Sequence, residues 1–139
     1  MSKVFKTSYR VYYEDTDAEQ IMYHGNFINF CERARTDLLR EIGLPVGQIK
    51  RELGVGFVVR HISADYVGMV RLDDLLEAQT TVKAMKNSSF MMHQELICQN
   101  KVVFMMDVTI VCIDAQGKPT RAPQELRDKF QDYLIEESK

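Results

Sequence analysis

Residues 10–35, RVYYEDTDAEQIMYHGNFINFCERAR, decide the fold, because a strand ends and a helix begins within them. In residues 8–14, Tyr9, Val11 and Tyr13 alternate with residues of the opposite face, the period of two typical of a half-buried strand. This pattern predicts that Tyr13 points inward. The run Glu14-Asp15-Thr16-Asp17 then ends the strand, since Asp is a poor strand former that favours turns and helix caps.

A long helix is predicted to follow this turn. It begins near Asn26, a good capping residue, and runs to about Ile42, with Gly43 as its stop and Pro45 preventing its continuation. Its apolar positions cover roughly half of the helix circumference, which is too broad a stripe for a helix lying lightly on a surface. We therefore expect a sheet to wrap around it. These positions are Phe27, Ile28, Phe30, Cys31, Ala34, Leu38, Leu39 and Ile42.

The rest of the chain alternates between strand patterns and turn clusters. Strands are predicted near residues 55–64, 75–86, 90–99 and 102–113, with a short helical piece after Pro45 and an amphipathic helix after Pro123. This order of segregated elements predicts an α+β fold, a curved five-stranded antiparallel sheet around one long helix. The last strand is nearly continuously apolar, so we expect both of its faces to be covered, the outer one by a second subunit.

The start of the long helix is where we predict the chemistry. Unpaired backbone N–H groups near His24 and Gly25 place the positive end of the helix dipole beside Asp17 and Tyr13. Such donors can hold a carbonyl oxygen while a carboxylate acts as base or nucleophile. Each residue also has a purely structural interpretation. Asp17 could be a turn residue, His24 could bond to a loop carbonyl, and Tyr13 could be a core aromatic.

The motifs YYEDTDA, YHGNF and ERAR, with FVVR at 57–60, RLDDLLE at 71–77 and IVCID at 110–114, resemble one known family. The chain is similar over nearly its whole length to hotdog-fold acyl-CoA thioesterases of the 4-hydroxybenzoyl-CoA thioesterase family. The nearest likeness is to the Tol-Pal-associated subgroup. The resemblance implies a hotdog fold, hydrolysis of an acyl-CoA without a metal or other cofactor, and a homodimer or homotetramer.

The resemblance also assigns roles at the site. The family's catalytic carboxylate, as base or nucleophile, falls on Asp17, and the associated tyrosine and histidine fall on Tyr13 and His24. Relatives usually have glycine in the loop after this Asp, where this chain has Glu19-Gln20, so backbone freedom beside the site is expected to differ. A scaffold that binds acyl carrier protein or lipid-synthesis enzymes at the inner membrane, with little hydrolysis, is the alternative function.

Composition limits the other possibilities. A chain of 139 residues suits one domain, residues 1–139. A net charge of −2 and an isoelectric point near 5.9 argue against nucleic-acid binding. The absence of a leader-like start and of an apolar run near 20 residues predicts a cytoplasmic protein without a membrane span.

Cysteine and histidine placement argues against a disulfide framework, a metal site or a reactive thiol. Cys31, Cys98 and Cys112 are far apart in apolar surroundings, and we expect them to be small buried hydrophobes. His61 and His93 have no partner at ligand spacing, so no metal is expected.

Arg35 projects into the apolar arc of the predicted helix. A charge in that position needs a partner, and Glu14, Asp15 or Asp65 is the expected carboxylate.

Overall fold

A sheet of five antiparallel strands forms the body of the computed structural model, which describes residues 2–135. In chain order the elements are β1 (Phe5–Arg10), α1 (His24–Glu41), α2 (Val46–Leu53), β2 (Gly56–Tyr66), β3 (Leu75–Met85), β4 (Ser89–Cys98), β5 (Lys101–Ile113) and α3 (Gln124–Gln131). The strands lie in the order β1-β3-β4-β5-β2, so β1 and β2 form the edges. The predicted α+β hotdog architecture is confirmed.

Helix α1 packs its apolar stripe against the inner face of the sheet. Its buried residues repeat at three- and four-residue spacing, as the amphipathic pattern requires: Phe27, Phe30, Cys31, Ala34, Leu38 and Leu39. Strand β4 supplies the opposite wall, because every second side chain from Phe90 to Cys98 is buried. The helix begins at His24, two residues before the predicted start, so His24 and Gly25 lie in its first turn.

Local turn chemistry explains the predicted hairpins. Strands β4 and β5 are joined by Gln99 (φ 52°) and Asn100 (φ 66°), both with positive φ. Positive φ at both central residues is the mark of a two-residue turn whose twist matches that of the paired strands.

Among residues 2–135, no helix is long and apolar enough to cross a membrane.

The first strand ends earlier than its alternation predicts. Strand β1 stops at Arg10, and residues Tyr13–Asp15 form a 3₁₀ turn in which the Asp15 carboxylate accepts the Tyr12 N–H at 2.9 Å. This turn breaks the period of two after Val11, which is fully buried. Tyr13 is consequently 72% exposed, and the prediction that it points inward is wrong for the chain described.

The inner face of strand β5 is covered, whereas its outer face is buried only towards the ends, at Val103 and Val111. Phe104, Met106, Val108 and Ile110 point into the core, whereas the alternate residues between them are only half-buried. The middle of the outer face is polar, because Asp107 there bonds to side chains of β3 and β4. The apolar composition of this strand therefore does not by itself require a second subunit on that face.

Candidate active site

Asp17 lies at the tip of a small hairpin that precedes α1. Its N–H donates to the Ile21 carbonyl at 3.0 Å, and its own carbonyl accepts from Gln20 at 2.9 Å. Oδ1 of its side chain accepts the Glu19 N–H at 2.9 Å, the local bond by which Asp stabilises turns. The side chain is exposed, and Oδ2 makes no hydrogen bond with residues 2–135. Asp17 thus holds its turn with one oxygen and presents the other.

The loop after Asp17, where glycine was expected and this chain has Glu19-Gln20, has a glycine-like backbone at Gln20. Gln20 has a φ of 60°, in the left-handed region that glycine adopts most readily. Its carbonyl accepts the Leu72 N–H at 3.1 Å, which ties the turn to the connection between β2 and β3. A residue with a Cβ therefore adopts the backbone conformation that a glycine would favour, and the turn is less free to move.

Asp15 joins this hairpin to the start of α1. Its carbonyl accepts the Tyr23 N–H at 3.0 Å and the Asn26 side-chain amide at 2.8 Å. Asp15 is 7% exposed, so both of these bonds lie in a largely water-excluded position. Along the hairpin, Thr16 pairs with Met22, and Asp17 bonds to Ile21. Asp17 is therefore two residue pairs away from the Asp15–Tyr23 pair at the helix start. The two acidic residues of the DTD motif therefore do different work: Asp15 is structural and Asp17 is open to solvent.

The first turn of α1 supplies backbone donors on this side of the molecule. The Asn26 N–H bonds to the Tyr23 carbonyl at 2.9 Å, whereas the N–H groups of His24 and Gly25 make no hydrogen bond within residues 2–135. Both belong to the first turn of a helix of 18 residues, where N–H groups have no intrahelical acceptor and the helix dipole is positive. The arrangement favours a negatively charged or polarised oxygen near these two amides.

Aromatic side chains surround the His24 ring. The rings of His24 and Tyr23 lie 4.3 Å apart, and Tyr66 at the end of β2 approaches His24 edge-on at 6.4 Å. The Tyr66 hydroxyl donates to the His24 carbonyl at 3.1 Å. Tyr66 was not predicted as a site residue, because it lies 42 positions from His24 and its place at a strand end is the only local signal.

Tyr13, Asp17 and His24 are each exposed, and their side chains make no hydrogen bonds with one another in the part of the chain described. Tyr13 contributes its carbonyl to the turn, accepting the Thr16 hydroxyl at 2.7 Å. No side-chain hydrogen bond of the described residues therefore links the three predicted site residues to one another.

The three cysteines are buried and free, as predicted. Burial raises the pKa of Cys31 to about 12 and that of Cys112 to about 11, so both remain thiols at neutral pH. Across residues 2–135, no three His, Cys, Asp or Glu side chains converge where they could hold a metal ion.

His93 belongs to an ionic cluster on the outer sheet face. Its ring bonds to Asp107 through Nδ1 at 2.7 Å and to Glu95 through Nε2 at 2.8 Å. Lys83 bonds to the same Asp107 at 2.8 Å. Burial alone would lower the pKa of His93, but the hydrogen bonds and charges of the two carboxylates outweigh it and raise that pKa. Both ring nitrogens can donate only in the protonated form, so the geometry favours the imidazolium.

The expected partner of Arg35 is corrected by the structure. Arg35 Nη1 donates to Gln94 Oε1 on β4 at 2.9 Å, and no carboxylate oxygen of residues 2–135 lies within 4.0 Å of its guanidinium. A neutral amide, rather than Glu14, Asp15 or Asp65, meets the charge. The sequence favoured an acid because an ion pair is the usual solution for a buried charge.

The sequence pattern of the thioesterase-like superfamily matches residues 11–130, which contain both the hairpin and the whole sheet except β1. The chain belongs to the thioesterase-like superfamily. The "Acyl-CoA thioester hydrolase YbgC" of Escherichia coli O157:H7 is 36% identical over 129 residues, covering 91% of this chain and 96% of the relative. The "Acyl-CoA thioesterase YbgC" of Haemophilus influenzae is 35% identical over 127 residues, covering 91% and 93%.

Solved structures of other proteins have the same architecture. The "Probable Thioesterase from Bartonella henselae" superposes with a TM-score of 0.84 at 28% identity, covering 87% of this chain and all of that one. The 1,4-dihydroxy-2-naphthoyl-CoA thioesterase from Synechocystis gives 0.87 at 21% identity, covering 94% and 97%, and this second likeness concerns the fold alone. The chain is a thioesterase by family, and its fold matches these solved structures over 87% and 94% of its length.

Proposed function

We propose that this protein hydrolyses acyl-CoA thioesters to the free acid and coenzyme A at the start of α1. The observation that carries the proposal is an exposed carboxylate, Asp17, on the hairpin that leads directly into α1, whose first two amides have no acceptor within residues 2–135. The curated relatives above are acyl-CoA thioester hydrolases by name and align with 91% of the chain. The site and the relatives therefore point to the same reaction.

The N–H groups of His24 and Gly25 would hold the thioester carbonyl oxygen. Negative charge develops on that oxygen when a nucleophile adds to the carbonyl carbon, and preorganised donors stabilise it more in the transition state than in the substrate. The positive end of α1 adds to this effect. Collapse of the adduct breaks the C–S bond and releases the thiolate of coenzyme A.

Asp17 would act in one of two ways. As a general base, it takes a proton from the water that attacks the carbonyl carbon; as a nucleophile, it forms an anhydride that water then opens. The bond from Glu19 to Oδ1 fixes the carboxylate and leaves Oδ2 for either role. His24 would orient the carbonyl or the water, and Tyr13 would line the pocket and donate a hydrogen bond.

Replacing Asp17 with asparagine tests this assignment. Asparagine keeps the turn bond to Glu19 but loses the negative charge, and general-base catalysis contributes about 10²–10⁴-fold. We expect turnover of benzoyl-CoA and of aliphatic acyl-CoAs, measured by thiol release, to fall by that factor while circular dichroism stays unchanged. His24→Ala should be milder, since the proposed donors are backbone groups.

Asp114 offers a matched control for this experiment. Its Oδ1 accepts the N–H groups of Gln116 and Lys118 at 2.9 and 3.0 Å in another turn, so Asp114→Asn makes the same chemical change at a comparable position. The Asp114→Asn variant should leave turnover unaffected.

Two outcomes would contradict the proposal. More than about a tenth of wild-type turnover in Asp17→Asn would mean that Asp17 is a turn residue. A wild-type chain that releases no thiol from any acyl-CoA but binds acyl carrier protein would favour the scaffold alternative instead.

We further propose that the active protein is a homo-oligomer, with a dimer as the smallest unit. Strand β2 is an edge of 11 residues, and Val58 and Val59 on it are 42% and 49% exposed. A long edge with exposed apolar side chains invites pairing with another strand, and a second copy would extend the sheet. Sedimentation at micromolar concentration should give a dimer or tetramer. A species of 16.1 kDa alone would contradict the proposal.

The cytoplasmic location stays a prediction.

A further inference from the structure

Tyr66, the last residue of β2, bonds to the backbone of the first residue of α1. Its hydroxyl donates to the His24 carbonyl at 3.1 Å. A carbonyl at the start of a helix accepts the N–H of the residue four positions later, and its oxygen has a second lone pair for another donor. The Tyr66 hydroxyl can therefore bond to this carbonyl without displacing the bond that the helix itself makes.

The ring that carries this hydroxyl is held by aromatic neighbours. It meets Phe27 edge-on at 5.4 Å and Phe104 at 5.0 Å, and both of these side chains are buried in the core. Edge-on and tilted contacts stabilise aromatic pairs beyond the area that they bury. Although Tyr66 is 50% exposed, its hydroxyl is thus attached to a ring whose position the core fixes.

The acceptor of this bond belongs to the same peptide group as a proposed oxyanion donor. The peptide that joins His24 to Gly25 carries the His24 carbonyl and the Gly25 N–H in one plane. A donor on the carbonyl polarises the peptide and strengthens the N–H as a donor, by about 10–30% per bond in condensed phases. The same bond resists rotation of the peptide plane, which restrains the direction of the Gly25 N–H.

We propose that Tyr66 is a positioning residue for the reaction, which orients and polarises the Gly25 N–H through the His24 carbonyl. This inference rests on the proposed hydrolysis and adds to it a residue from the end of a different element, the edge strand β2. A hydroxyl that only tied β2 to α1 would lower stability when removed and leave the turnover of the folded protein unchanged. The positioning role predicts a change in turnover itself.

Tyr66→Phe removes the hydroxyl and keeps the ring with its aromatic contacts. Removing a whole oxyanion donor costs about 10²–10³-fold in kcat, so losing about 10–30% of one donor corresponds to about a two- to eightfold fall. KM should stay unchanged, because the carbonyl oxygen gains its charge only in the transition state. Both constants are measured with benzoyl-CoA by thiol release, and circular dichroism is the fold control.

Tyr9 offers a matched control. Its hydroxyl also ties the sheet to α1, because it donates to the Asp37 carboxylate. Asp37 follows His24 by 13 residues, about 20 Å along the helix axis, so this bond acts far from the helix start. Tyr9→Phe makes the same chemical change and should leave kcat and KM unaffected.

The backbone signals of this peptide give a readout that needs no turnover. Loss of the bond reduces the polarisation of the peptide, so Tyr66→Phe should move the Gly25 amide proton and the His24 carbonyl carbon upfield. Both rings remain rings in the two variants, which keeps their ring currents in place. Tyr9→Phe should leave the two signals unmoved. The chain contains seven glycines, so the Gly25 amide can be assigned among few candidates.

The outcomes separate this inference from the proposed hydrolysis. Wild-type kcat in Tyr66→Phe, together with lost turnover in Asp17→Asn, would overturn the role of Tyr66 and leave the hydrolysis proposal intact. A Gly25 amide signal that does not move in Tyr66→Phe would overturn that role as well. A wild-type chain without any turnover would contradict the hydrolysis itself, and a role for Tyr66 in its rate would fall with it.

Discussion

Replacing Gln94 with leucine should destabilise the fold through the polar contacts that join α1 to the sheet. Gln94 is 1% exposed. Its Oε1 accepts from Arg35 at 2.9 Å, and its Nε2 donates to the Cys31 carbonyl at 2.8 Å and to the Thr80 hydroxyl at 3.1 Å. Leucine fills nearly the same volume but can make none of these bonds. The variant therefore tests hydrogen bonding rather than packing.

The three broken bonds do not contribute equally. The Cys31 carbonyl keeps its helical bond to the N–H four residues later, and the Thr80 hydroxyl can rotate to another acceptor. Arg35 loses its only hydrogen bond within residues 2–135 while it stays half-buried. Leaving a neutral buried donor unpaired costs about 1–3 kcal/mol and a charged one more. We expect Gln94→Leu to lower the free energy of unfolding by about 3–4 kcal/mol.

Urea unfolding at fixed protein concentration, followed by circular dichroism, measures this loss. The midpoint should fall with an unchanged slope. Thr80→Val removes one of the bonds and should cost only about 1 kcal/mol. In the double variant Arg35→Met with Gln94→Leu, the loss should be smaller than the sum of the single losses by at least about 1 kcal/mol. A Gln94→Leu loss below about 1 kcal/mol, or strict additivity, would refute the reasoning.

Two further outcomes are expected. The raised pKa of His93 means that its stabilisation is fully present below its unfolded pKa of about 6.5 and is lost as pH rises through the higher folded value. His93→Gln should therefore cost most near pH 5–6 and progressively less above neutrality, and a pH-independent difference in unfolding free energy would contradict this. Gly54 ends α2 with φ 67° and open space around its Cβ position, so Gly54→Ala should cost only the backbone strain, about 1 kcal/mol; a melting curve that shows no loss would count against strain there.

The arrangement of helices and strands was readable from the sequence because burial periodicity is a local property. The alternation in residues 89–98 and the helical spacing of Phe27, Phe30, Ala34 and Leu38 each reflect one element facing one core. Glycine and proline marked the element ends for similarly local reasons, as at Gly43, where φ is 85°. The DTD turn was also found, since Asp favours turns through bonds to backbone groups only a few positions away. The predicted cap Asn26, by contrast, lies inside α1, which begins at His24.

Tertiary structure decided which way the site residues face and what they meet. Tyr13 turned outward because a backbone bond to the Asp15 carboxylate starts a 3₁₀ turn, an outcome that alternation does not contain. Arg35 bonds to Gln94, which is 59 residues away in the sequence, instead of to an acid. Tyr66 bonds to His24, which is 42 residues away. Such pairings depend on sheet register and helix placement, which are set by the packing of the whole core. Residue type predicts that a buried charge needs a partner, whereas only the fold determines which side chain is within reach.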